Sequence, residues 1–131
     1  MVHDAARPCL SHDDIDRLLD EGLGCDDGAI LAIPVRDTLK KQDDEGRILN
    51  TVEREGTWAA QTPQLFRVGT LIEATRVQMQ CGNSPTDEAA AMEGIGARPR
   101  LVMGSAANIK ITWPEDVAIA SSWLSSGSRR S

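Results

Sequence analysis

A layered α/β domain is the fold this sequence predicts, and three observations carry the prediction. The run GAILAIPV is continuously apolar and bounded by turn signals, as a strand buried on both faces of a sheet would be. Helix-period stretches, SHDDIDRLLDEGLG and RVGTLIEATRVQMQCG, lie on either side of it in the chain. Two short strand-like stretches, RLVMG and NIKIT, then precede a last helical stretch, so strands and helices alternate.

Each element has its own local reason. Val2 and His3 read as the last residues of a strand. In the first helix Ser11 is the N-cap, acidic residues fill the first turn, and Ile15, Leu18, Leu19 and Leu23 form one apolar stripe. Gly22 and Gly24 offer its stop. Pro34 ends the buried strand. The segment DTLKKQDDEGRILNTVEREGTW alternates loosely around a DDEG turn and predicts a polar hairpin with little apolar surface of its own. An isolated hairpin is marginal in water, so a second subunit is its natural support. The next helix should turn Val68, Leu71, Ile72 and Met79 inward, with Gly82 near its end. TDEAAAMEGIG predicts a short helix capped by Thr86 and flanked by Asp87 and Glu88. Pro114 sits at the first position of the last helix, preceded unexpectedly by Trp113. Residues 125–131 read as a disordered tail.

Bulk properties exclude several classes. With 131 residues the chain fits one domain, and 40% hydrophobic with 26% charged residues is a globular composition. A net charge of -6 argues against a nucleic-acid partner. Three widely spaced cysteines (Cys9, Cys25 and Cys81) with two histidines argue against a zinc site and for a reducing compartment. No apolar run is long enough to span a bilayer.

Ligands bind outside the carboxyl ends of strands in open α/β sheets. VHDAARP follows a strand end, and there Asp4 can hold a hydroxyl or a metal-bound phosphate while Arg7 binds an anion or polyol; a turn paired with local backbone explains the same residues. Thr38, in RDTLK, lies just past the buried strand, where a solvated hairpin start is the plainer reading. In TVEREGTWAAQTPQLF, Arg54 offers a forked donor for phosphate and Thr62 a hydroxyl, against the alternative of a polar turn. Thr86 can turn its hydroxyl to a ligand. Lys110, between two isoleucines, is either an edge-strand charge or a cation aimed at a phosphate.

Taken in order, VHDAARP, PVRDTLK, TVEREGTWAAQTPQLF, TDEAAAMEG and NIKITWPED resemble the C-terminal part of the 2-C-methyl-D-erythritol 4-phosphate cytidylyltransferase family, from Val2 to about Leu124. The resemblance implies a Rossmann-like nucleotidyltransferase fold, here lacking its N-terminal half, with residues 1–124 as the domain and about 34–56 as a dimerisation arm. It implies transfer of CMP from CTP to the polyol phosphate with release of pyrophosphate, with Mg2+, in a homodimer, in the bacterial cytoplasm or a plastid. By matching motif, Asp4, Arg7, Thr38 and Thr86 would hold the methylerythritol moiety. Arg54, from the partner subunit, and Thr62 would bind its phosphate. Lys110 would face the reacting phosphates as the catalytic residue, and Ala5 and Ala6 would lie near the nucleotide sugar. The family's glycine-rich basic loop for CTP has no counterpart here: GLGCDDG is acidic and follows a helix. Weak CTP binding is therefore expected. The alternatives are a ribitol 5-phosphate cytidylyltransferase and a non-catalytic dimerisation or regulatory fragment.

Overall fold

The computed structural model describes residues 1–127. Its centre is the buried strand the sequence predicts, β1 (Ala29–Pro34). Ala29, Ile30, Leu31 and Ala32 are all buried, because the strand is covered on both faces and paired on both edges. β4 (Trp58–Leu65) runs antiparallel to it and β5 (Arg100–Met103) parallel, giving a mixed sheet of order β4-β1-β5. Alternate residues of β1 serve opposite faces. Ala29 and Leu31 join Leu18 and Val102 in one apolar cluster. Ile30 joins Phe66, Ala74, Ala89, Ala91 and Met92 in the other. The result is helix, sheet and helix in three layers.

The first layer is α1 (His12–Gly22). Its cap is reciprocal: Ser11 Oγ accepts from Asp14 N–H at 3.1 Å and donates to Asp14 Oδ2 at 2.8 Å. Leu18 is fully buried, whereas Leu23, placed in the stripe by periodicity, lies past the helix end and is exposed. Gly22 lets the helix lie close on the sheet, since a Cβ there would come within 2.8 Å of the Ala29 side chain. Gly28, with φ +83°, has no room for a side chain against the Phe66 ring.

On the opposite face lie α2 (Val68–Gln80) and α3 (Glu88–Glu93). The predicted inward face of α2 is corrected. Val68, Ile72 and Met79 are exposed, and the helix turns Ala74 and Gln78 inward, with Leu71 packed beside them. Small Ala74 lets α3, with Ala89, Ala91 and Met92, pack close, so the alanine face wins over the larger side chains. The cap of α3 is also corrected: Asp87, not Thr86, is the N-cap, accepting from Ala90 N–H at 2.8 Å.

β2 (Leu39–Gln42) and β3 (Ile48–Val52) form the predicted hairpin, a two-stranded sheet separate from the main one. Asp43 Oδ1 closes its turn by accepting from the backbone of Glu45 and Arg47. The expectation of little apolar surface does not hold, because Ile48, Leu49 and Val52 are there and exposed.

Two further readings change. NIKIT is not a strand: β5 ends at Met103, and the chain then turns and runs irregularly to α4 (Pro114–Gly127). Ser125–Gly127, assigned to a disordered tail, belong to that helix, and 128–131 lie outside the described residues. Val2 enters as a single antiparallel bridge to Gln64, with both N–H···O bonds at 2.9 Å.

Candidate functional site

The N-terminal turn lies against β4, and the irregular segment after β5 lies against that turn. Arg7 N–H donates to Asp4 O at 3.0 Å, closing the turn of HDAARP. Ile111 N–H donates to Ala6 O at 2.8 Å and fastens the later segment to it. This brings Lys110 to Asp4, with Nζ 2.9 Å from Oδ2. The other Asp4 oxygen accepts from Ala6 N–H at 2.9 Å, and Asp4 N–H donates to Thr62 Oγ1 at 2.9 Å.

Around these groups opens a cavity of about 400 Å³. Asp4, Arg7, Thr62, Thr86 and Lys110, five of the residues singled out in the sequence, line it. Its remaining polar lining includes His3, Gln61, Gln64, Asp87 and Glu88. Ala5 and Ala6 belong to the turn beside the cavity, Ala6 acting through its backbone. Thr38 and Arg54 are not brought to it. Thr38 is exposed at the base of the hairpin. Arg54 lines a different concavity with Arg36, Glu53 and Glu55, and its Nη1 donates to the Arg36 carbonyl.

The electrostatics follow from the pairings. Asp4 is held below the usual carboxylate range, first by the Lys110 hydrogen bond and then by Ala6 N–H, so it stays ionised. Burial lowers the basicity of the Arg7 guanidinium, and the Asp4 charge opposes that. Arg7 Nη1 donates to Asn108 O at 2.6 Å and Nη2 to Ala60 O at 3.4 Å. Arg7 thus supplies charge to the cavity while its fork holds two backbone carbonyls. Two cations, Arg7 and Lys110, face three carboxylates, Asp4, Asp87 and Glu88. Asp87 is occupied by its capping bond and by Gln64 Nε2 at 2.9 Å. The lining offers carboxylate and hydroxyl oxygens that can accept hydrogen bonds and one partly exposed ammonium, that of Lys110.

Sequence reasoning missed the residues that hold this wall together. Asn108, fully buried, donates from Nδ2 to Thr62 O at 2.8 Å while its own carbonyl takes Arg7. Gln64, also buried, links Asp87 to Ala89 N–H. Asn is depleted in strands, so an Asn after GSAA is itself a turn signal that argues against a strand at NIKIT.

Comparison with known proteins gives consistent results. The model of the family described as IspD: 2-C-methyl-D-erythritol 4-phosphate cytidylyltransferase matches residues 1–126. The protein of that name from Vibrio parahaemolyticus is 52% identical over 125 residues, 95% of this chain and 53% of the relative. That from Pseudomonas fluorescens is 50% identical over 117 residues, 89% of this chain and 50% of the relative. The crystal structure of the Francisella tularensis protein superposes with a TM-score of 0.87 at 38% identity, covering 94% of this chain and 58% of that one. The crystal structure of the Thermus thermophilus protein gives 0.82 at 33% identity, covering 94% and 60%. The chain spans about half the length of the curated relatives it matches.

Proposed function

This chain belongs to the IspD family, 2-C-methyl-D-erythritol 4-phosphate cytidylyltransferase, and on that premise we propose that its open cavity is the polyol-phosphate half of a cytidylyltransferase site. The fold is of the Rossmann-like nucleotidyltransferase type, as in the solved relatives. In the proposed reaction an oxygen of the 4-phosphate attacks the α-phosphorus of CTP, a P–O bond forms, and pyrophosphate leaves. Such transfers rest on positioning and charge stabilisation.

The observation that carries the reading is the Lys110–Asp4 pair at 2.9 Å in a cavity also lined by Arg7, Thr62 and Thr86. Asp4 and Thr86 take hydroxyls of the polyol, and Arg7 adds positive charge. Lys110 swings its ammonium from Asp4 to the reacting phosphates. Two cations against three carboxylates leave a phosphate short of positive charge. Arg54 from a second copy would supply it beside Thr62, with Thr38 at the base of the same arm. This supports a homodimer joined through the hairpin, whose Ile48 and Leu49 are exposed. Ala5 and Ala6 would face the nucleotide sugar.

CTP itself has no glycine-rich basic loop in this sequence, so its triphosphate is read as bound chiefly by parts of the relatives' length that this chain does not span. Magnesium would accompany that triphosphate. Among the described residues no group of three His, Cys, Asp or Glu side chains is placed to hold a metal ion, so they form no cage for it. No helix among the described residues is long and apolar enough to cross a membrane. The bacterial relatives support a cytoplasmic place of action.

Calorimetric titration of the chain with 2-C-methyl-D-erythritol 4-phosphate, ribitol 5-phosphate and CTP tests the reading. The first should bind best and CTP least. Equal or better binding of ribitol 5-phosphate, or no binding of either polyol phosphate, would overturn it.

A further inference from the structure

While the His3 ring is neutral, its partners fix the direction of each hydrogen bond at the Thr62 hydroxyl. Arg7 O, a carbonyl, can only accept, so His3 Nε2, 2.9 Å away, must carry a proton. In a neutral ring Nδ1 then has none. Thr62 Oγ1, 2.9 Å from Nδ1, must donate its hydroxyl proton to it. Asp4 N–H already occupies one lone pair of the same oxygen. With His3 neutral, Thr62 therefore presents only an acceptor to the cavity, and a phosphate dianion, which has no proton to donate, finds no donor there.

A second proton on His3 reverses this. Nδ1–H becomes a donor to Thr62 Oγ1, the hydroxyl proton turns outward, and the imidazolium adds charge at the same place. We infer that phosphate binding at Thr62 is coupled to uptake of one proton by His3, which acts as a positioning residue for the Thr62 hydroxyl. The inference rests on the reading of this cavity as a phosphate site. The other titratable and charged groups facing it are Asp4 and Arg7 of the same turn, Asp87 and Glu88 of the α3 end, and Lys110. The hydrogen bonds to Asp4 favour its charged form, and Arg7 is a permanent cation.

Imidazole nitrogen and carbon NMR reads the step directly, because the chain has two histidines and His12, in the first turn of α1, is not among the cavity lining. At mildly alkaline pH and without ligand, His3 should show the Nε2–H tautomer. Titration with 2-C-methyl-D-erythritol 4-phosphate or with inorganic phosphate should convert it to the doubly protonated form and leave His12 unchanged. Affinity for the phosphate dianion should fall as pH rises, as uptake of one proton on binding requires. His3→Phe, a change at an exposed position, should lose that pH dependence. An Nδ1–H tautomer, ligand bound with His3 still neutral, or an unchanged pH profile in His3→Phe would overturn the inference. If inorganic phosphate protonates His3 but the methylerythritol ester binds no better than phosphate, the inference stands and the proposed function fails. Saturable ester binding without proton uptake gives the reverse.

Discussion

Lys110 Nζ lies 2.9 Å from Asp4 Oδ2, and the pair joins two segments more than a hundred residues apart in the chain. Both groups are solvent-accessible, so the pair matters for placing charge more than for holding the fold. Lys110→Met should leave the melting temperature nearly unchanged. It should weaken binding of the polyol phosphate on the order of tenfold or more, the scale of a lost charge-assisted hydrogen bond. In the same variant Asp4, freed of its main stabilising partner, should titrate closer to an ordinary carboxylate, which carbon NMR of the side chain would show. An unmoved Asp4 would contradict the pairing.

Gln64 acts as a clamp. Its Oε1 accepts from Ala89 N–H at 2.8 Å and its Nε2 donates to Asp87 Oδ2 at 2.9 Å, so one buried side chain holds both the first turn of α3 and its cap. Gln64→Ala should cost about 2 kcal/mol or more in urea unfolding, because a buried N–H loses its acceptor. Gln64→Glu keeps the acceptor but sets a carboxylate against Asp87. It should be less stable than the parent at neutral pH and recover as acid protonates the new group. A pH-independent difference would count against the clamp.

The apolar pattern foretold the sheet's centre and the helices better than it foretold the edge and the site. β1 was legible because four consecutive buried residues leave a continuous apolar run. α1 was legible through Ser11 and its first-turn acids. β4 was hidden: Gln61, Thr62, Pro63 and Gln64 look like a turn, and Pro demotes a strand reading. Yet β4 is the strand next to β1 against which the cavity lies, and its buried glutamines donate to the Asp87 cap of α3 and to backbone carbonyls of the post-β5 segment. NIKIT misled for the converse reason, since alternation suggested a strand where hydrogen bonds to the N-terminal turn decide the path. Asp4, Arg7, Thr62, Thr86 and Lys110, singled out by residue type and motif order, line one cavity. Thr38 and Arg54 lie away from that cavity.

Asn108 offers a separate test of the wall. Its side chain holds the Thr62 carbonyl while its backbone carbonyl takes Arg7 Nη1 and, at 3.3 Å, Gln61 Nε2. Asn108→Asp replaces the donor with a carboxylate oxygen facing a carbonyl. Ligand affinity should fall along with stability, by about 1–3 kcal/mol in the latter, the cost of a buried polar group left unpaired. Chemical shifts of Thr62 and Arg7 should move together. Movement of one without the other would show that Asn108 does not couple them.

The hairpin carries the next prediction. Ile48 and Leu49 are 68% and 60% exposed on a strand that, among the described residues, pairs only with β2, a surface that an isolated hairpin gains nothing by displaying. If the arm joins two copies, Leu49→Glu should shift sedimentation from dimer to monomer without changing helix content. A parent chain that sediments as a monomer at all concentrations would remove the arm's proposed role and with it the supply of Arg54.

Trp113 before Pro114 looked like a poor helix start, and Asp116 resolves it. Asp116 Oδ2 accepts from the backbone N–H of both Trp113 and Thr112 at 2.8 Å, so the third helical residue reaches back to satisfy donors that a Ser or Thr cap would otherwise order. Those two bonds hold the Asp116 carboxyl below its ordinary range. A depressed carboxylate contributes stability above its unfolded pKa and loses it as pH falls through its folded one. The contribution should therefore be complete at neutral pH and disappear below about pH 4, the ordinary range of Asp. Asp116→Ala should lower the melting temperature at neutral pH, and the gap from the parent should close on acidification below that point. Circular dichroism melts at the two pH values check it, and a gap that persists in acid would mean that the helix start is held by something other than this carboxylate.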